Sequence, residues 1–144
     1  MKFSQFLAEE NVQVLYRMIS KDRAEKLLKG DLVPITTKFT SFVSDKSHLK
    51  REFGDKILEL HAKDLPSGCK IIPIRYDLSW FTQSKLHLEL LERVTGRTEQ
   101  DWLEEFDDPD SLDDELETLY GDEHEIVVTG LKSFDPSTVK IIEK

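Results

Sequence analysis

Apolar and polar positions change period several times along this chain, and each change marks an element. Ser4 to Asn11 has the spacing of a short amphipathic helix. Val12-Gln13-Val14-Leu15-Tyr16-Arg17-Met18-Ile19 is apolar and rich in strand formers, which predicts a strand with Arg17 embedded in it. Lys21 to Lys29 carries Ala24, Leu27 and Leu28 at helical spacing and stops at Gly30. Pro34 to Phe42 reads as extended chain, Lys46 to Phe53 as a second short helix stopped by Gly54, and Lys56 to Ala62 as a further strand. Pro66-Ser67-Gly68 is a turn. Lys70 to Arg75 is extended again, with Pro73 arguing for a sheet edge.

Lys85 to Val94 predicts a helix ended by Gly96. Thr98 and Ser111 each precede an Asp by three residues, so each can open a helix with a capping box. Trp102, Leu103 and Phe106 form the apolar face of the first, and Leu112, Leu116 and Leu119 that of the second, with Asp107-Asp108-Pro109-Asp110 as the hinge between them. Glu125 to Thr129 and Thr138 to Ile142 are the last two strands, with Asp135-Pro136 in the turn between. No internal repeat, low-complexity linker or domain boundary interrupts the pattern. Helices and strands mix without regular βαβ alternation, so the expected class is α+β with a largely antiparallel sheet.

A chain of 144 residues with 38% hydrophobic and 34% charged positions can bury a core of its own. It holds no apolar run of membrane-spanning length, and its N-terminus meets acid too early for a signal peptide. Cys69 is the single cysteine, which excludes an internal disulfide and a cysteine-based zinc site. The expectation is a cytoplasmic protein of the producing or infected cell, with no membrane partner. The net charge of −9 hides an asymmetry: fourteen acids and no Lys or Arg fall between Glu99 and Glu125, leaving twenty bases against fifteen acids elsewhere. That concerns partners and steering more than fold.

Three local features stand out chemically. Arg17 inside an apolar strand either awaits an anion or is an edge residue with a snorkelling head. Lys38-Phe39-Thr40-Ser41-Phe42-Val43-Ser44-Asp45 brings hydroxyls to a strand end. A helix cap accounts for Ser44 and Asp45 but not for Thr40 and Ser41. In Glu123-His124-Glu125, strand alternation would put both carboxylates on one face and His124 on the other. Such a pair is either a solvated strand opening or a site that holds developing positive charge. The histidines at 48, 61, 87 and 124 lack zinc-ligand spacing, no Gly-rich phosphate loop is present, and no metal is expected.

In this order, Leu15-Tyr16-Arg17, then Phe39-Thr40-Ser41 with the following helix and Gly54, then Glu123-His124-Glu125-Ile126-Val127-Val128 resemble the Arg-Ser-Glu class of ADP-ribosyltransferases. That class includes the cholera-toxin-like and arginine-specific mono-ADP-ribosyltransferases. The likeness runs from Val12 to Ile142, and Lys56 to Ala62 looks like the strand after the family's helix. It implies one domain over 1–144 with a split, mainly antiparallel sheet and flanking helices gripping NAD+, the acidic helical segment 98–120 being inserted before the Glu-x-Glu strand. By this resemblance Arg17 contacts an NAD+ phosphate or the ribose edge, and Ser41 braces the catalytic Glu125. Glu125 holds the 2′-hydroxyl of the nicotinamide ribose, Phe42 packs on nicotinamide, and Glu123 orients and deprotonates an acceptor arginine. Met18 stands where these enzymes often have glycine, and Ser41-Phe42-Val43 keeps only the first hydroxyl of their usual Ser-Thr-Ser.

The acidic segment admits three readings: solvated helices with apolar undersides, a wall that draws in a basic protein target, or an imitation of nucleic-acid phosphates. The leading expectation is therefore an NAD+-dependent enzyme modifying a basic protein, with no direct nucleic-acid binding. The alternative is a non-catalytic acidic binding or inhibitory protein on a degenerate transferase fold.

Overall fold

The computed structural model describes residues 12–144, so the helix expected at 4–11 lies outside the described residues. In chain order the first elements are β1 (Val14–Ile19), α1 (Lys21–Leu28), β2 (Val33–Pro34), β3 (Phe39–Phe42), β4 (Lys56–His61) and β5 (Lys70–Pro73). There follow α2 (Leu78–Phe81), α3 (Lys85–Thr95), α4 (Glu99–Glu105), α5 (Pro109–Tyr120), β6 (Ile126–Thr129), β7 (Ser133–Phe134) and β8 (Val139–Glu143). All strand pairs are antiparallel, in three sheets of order β1-β4-β8, β2-β7 and β3-β6-β5. The protein is α+β with a split antiparallel sheet.

Among the described residues the split is bridged at one point. Tyr16 and Val43 exchange both backbone hydrogen bonds, at 2.8 and 2.9 Å, so β3 leaves β6 and joins β1 at that residue. Period-2 alternation explains what each strand contributes. Leu15 and Ile19 turn to the same face of β1 and enter the core with Leu58 and Leu60 of β4, Ala24 and Leu27 of α1, and Phe42 of β3. The central strand β6 is buried on both faces, which is why Ile126-Val127-Val128 reads as a continuous apolar run. Pro73 ends β5, an edge strand as its missing N–H requires.

The expected helix over 46–53 does not form. In its place are two 3-10 turns, Lys46–His48 and Arg51–Phe53, separated by extended backbone at Leu49 and Lys50. Asp45 caps the first through the amide of Ser47 at 2.9 Å, but neither turn buries a residue, so no packing offsets the cost of nucleating a longer helix. Gly54 is not a helix stop: its φ is −174°, and a Cβ there would stand 2.8 Å from the Ile19 backbone nitrogen. It is glycine because β1 passes too close for anything larger.

The described residues gather into two compact units, one running up to Ile74 and resumed over His124–Lys144, the other Arg75–Glu123. The acidic stretch 98–120 is the later half of this second unit. Thr98 and Asp101 form the expected capping box on α4. The cap of α5 is Asp108 rather than Ser111, because Pro109 is preorganised for the first turn of a helix. Phe81, Leu90, Leu91, Trp102, Leu112 and Leu116 are the buried apolar side chains of this unit. The Trp102 indole N–H donates to the Thr95 hydroxyl at 3.1 Å, and Arg97 lies 4.0 Å above its ring.

Candidate active site

Register brings the serine to the glutamate. β3 pairs with β6 through Ser41 opposite Val127 and Phe42 opposite Ile126. Two residues before Val127 on the same side of the chain comes Glu125, diagonal to Ser41 and within reach of a long side chain. The Ser41 hydroxyl donates to a Glu125 carboxylate oxygen. Both side chains are half-buried. Glu125 itself sits just outside the ladder, because β3 has already turned towards β1 at Val43. On the other side β5 still holds it: the Ile74 amide donates to the Glu125 carbonyl at 3.1 Å.

Arg17 reaches the same strand from β1. Its guanidinium donates to the Ser41 carbonyl at 3.3 Å and lies 5.8 Å from the Phe42 ring centroid and 5.5 Å from that of Phe134. A planar cation flanked by two aromatic faces is held by its shape as well as its charge. Arg17 and Glu125 are thus joined through one residue, the first at the backbone of Ser41 and the second at its hydroxyl.

Phe42 and Glu123 depart from the expected arrangement. Phe42 is 2% exposed and meets Phe134 edge-on at 6.4 Å, so its ring belongs to the core and offers no open face for nicotinamide. Alternation is the cause: Ser41 and Phe42 are neighbours and therefore point to opposite faces of β3. Glu123 lies at the end of the second unit, where its amide turns back to the Tyr120 carbonyl at 2.9 Å. β6 opens at Ile126, so the alternation expected to align Glu123 with Glu125 does not extend to Glu123.

Other parts of the arrangement had no sequence signal. Phe134, from a two-residue strand, supplies the second ring beside Arg17. The rings of His48 and His124 stack at 3.7 Å with 8° between their planes, although 76 residues separate them. Several acids of the second unit have structural tasks: Asp113 accepts the Leu78 amide at 2.7 Å, Asp108 caps α5, and Asp101 caps α4. Among the described residues no three His, Cys, Asp or Glu side chains gather as a metal site, and no helix is long and apolar enough to cross a membrane. No family model matches the chain, and neither a curated protein nor a solved structure does.

Proposed function

We propose that the chain is an NAD+-dependent mono-ADP-ribosyltransferase acting on a protein side chain, arginine by preference, of a basic partner. The observation that carries this reading is the Ser41–Glu125 hydrogen bond with Arg17 on the same residue, three positions far apart in sequence meeting at the split between two sheets. The donor set suits the dinucleotide: a guanidinium for its phosphates and a carboxylate for its ribose hydroxyls. Bound NAD+ would supply a glycosidic bond whose cleavage leaves positive charge on the sugar. Glu125, held in one orientation by Ser41, is placed to stabilise that charge. Phe42 acts here as the wall behind Arg17 rather than as a surface for nicotinamide. Glu123, two residues upstream, remains the candidate for taking the proton from an acceptor arginine, whose pKa above about 12 makes it a poor nucleophile unaided.

Incorporation of labelled ADP-ribose into a mixture of basic proteins tests the reading. Glu125→Ala is expected to abolish both transfer and nicotinamide release, and Glu123→Ala to abolish transfer while sparing release. If neither variant differs from the native chain, the assignment of these carboxylates is wrong.

A second reading rests on Asp107, Asp110 and Asp114, exposed acids within a stretch that contains no Lys or Arg. On that reading the second unit binds a basic protein and no turnover occurs. Calorimetry showing partner binding without NAD+ binding would favour it.

A further inference from the structure

The backbone around Glu125 is secured unevenly. Alternation turns the backbone groups of Glu125 to β5, which takes its carbonyl, whereas the next bonded pair on the β3 side would be Ser44 with His124, and β3 has departed for β1 at Val43, one residue before it. The chain that departs then comes back. After the bridge it enters the turn capped by Asp45, and the last residue of that turn, His48, lays its ring on His124 at 3.7 Å and 8°. His124 is bonded directly to Glu125. The Asp45 carboxyl, which accepts from the Ser47 amide at 2.9 Å, is held below the usual carboxylate range chiefly by that hydrogen bonding.

We propose that His48 is a positioning residue for Glu125, acting through the ring of His124. The functional part of this inference rests on the reading of Glu125 as the carboxylate that acts on NAD+. The stack substitutes for the ladder pairing of His124 with Ser44 that the split removes. It ties the segment after β3 to the segment before β6, so the Glu125 carboxylate meets the Ser41 hydroxyl with its own carbonyl held by β5 and the residue before it held by the stack. The work is done by a flat ring in face-to-face contact, for which aromatic stacking is the relevant interaction. A phenyl ring can do the same, and a methyl group cannot.

The Ile74 amide reports on this directly, because its acceptor is the Glu125 carbonyl. In the full-length His48→Ala variant, hydrogen exchange at Ile74 is expected to quicken about threefold or more, with Tyr16 and Val43, which bond each other across the bridge, unchanged. In His48→Phe the Ile74 rate is expected to return to within about twofold of the native value. The inference is overturned by an unchanged Ile74 rate in His48→Ala, by an acceleration that spreads to Tyr16 and Val43, or by failure of His48→Phe to restore protection. In the same variants, nicotinamide release from NAD+ is expected to lose about threefold or more in kcat in His48→Ala, with KM within about twofold, and to recover in His48→Phe. A native chain that releases no nicotinamide while the exchange rates behave as expected refutes the NAD+ reading and leaves the positioning of Glu125 standing. A rise in KM with kcat unchanged would mean that His48 serves binding, and would overturn its role through Glu125.

Discussion

Arg17 shows how a single side chain can be legible as unusual yet opaque in its role. Its place between Leu15 and Ile19 marks it as facing the core, and burying a guanidinium demands partners. The structure supplies a carbonyl and two aromatic rings, a setting that fits the planar fork of arginine and not the ammonium of lysine. Arg17→Lys keeps the charge and loses that fit. NAD+ affinity measured by calorimetry is expected to fall about tenfold, the scale of losing one well-placed charged hydrogen bond. Unaltered affinity would detach Arg17 from the dinucleotide. Ser41 is the simpler case: two residues of register place it beside Glu125, so the pairing follows once β3 and β6 are known to be neighbours.

Among the elements, the segment between β3 and β4 differs most from its expectation. A short helix offsets its nucleation by packing, as Ala24 and Leu27 do for α1, and residues 46–53 bury no side chain in either turn, so two isolated 3-10 turns form. Gly54 is then fixed by the close passage of β1 rather than by helix termination. Gly54→Ala is expected to destabilise the fold by about 1–3 kcal/mol in chemical denaturation, the usual cost of overpacking. A second consequence concerns acid. Asp45, Asp101 and Asp135 are held below the usual range chiefly by hydrogen bonds from Ser47, Thr98 and Ser137, and in the unfolded chain each titrates near about 3.9. Their contribution to stability is complete above that value and is lost as pH falls through the lower folded pKa. Melting temperatures of the native chain should therefore drop below about pH 4, and Asp101→Asn, which has no carboxylate to protonate, should drop less. Equal slopes would remove Asp101 from that account.

For the molecule as a whole, charge and chemistry are divided along the chain. Arg17, Ser41 and Glu125 belong to the first unit, and the dense run of acids lies almost wholly in the second. Since Asp108 caps α5 and Asp113 accepts the Leu78 amide, a test of electrostatic recruitment should spare them. Asp107→Asn, Asp110→Asn and Asp114→Asn together are expected to slow transfer to a basic protein and to blunt its sensitivity to salt, with nicotinamide release unchanged. A parallel fall in nicotinamide release would show that these acids support the fold rather than the partner.

Apolar periodicity, read with the glycine, proline and capping residues, was enough for the α+β class, for most of the strands, for the helices at 21–28, 85–95 and 99–105, and for the edge position of β5. These depend on local pattern and on the hydrogen-bonding limits of glycine and proline, which a sequence displays. Three things awaited the tertiary structure: the departure of β3 towards β1 at Val43, the second ring beside Arg17, and the stack of His48 on His124. Each is a contact between residues far apart in the chain, set by which strands become neighbours. No local pattern encodes that choice; it is settled when the buried faces of all the elements are satisfied together.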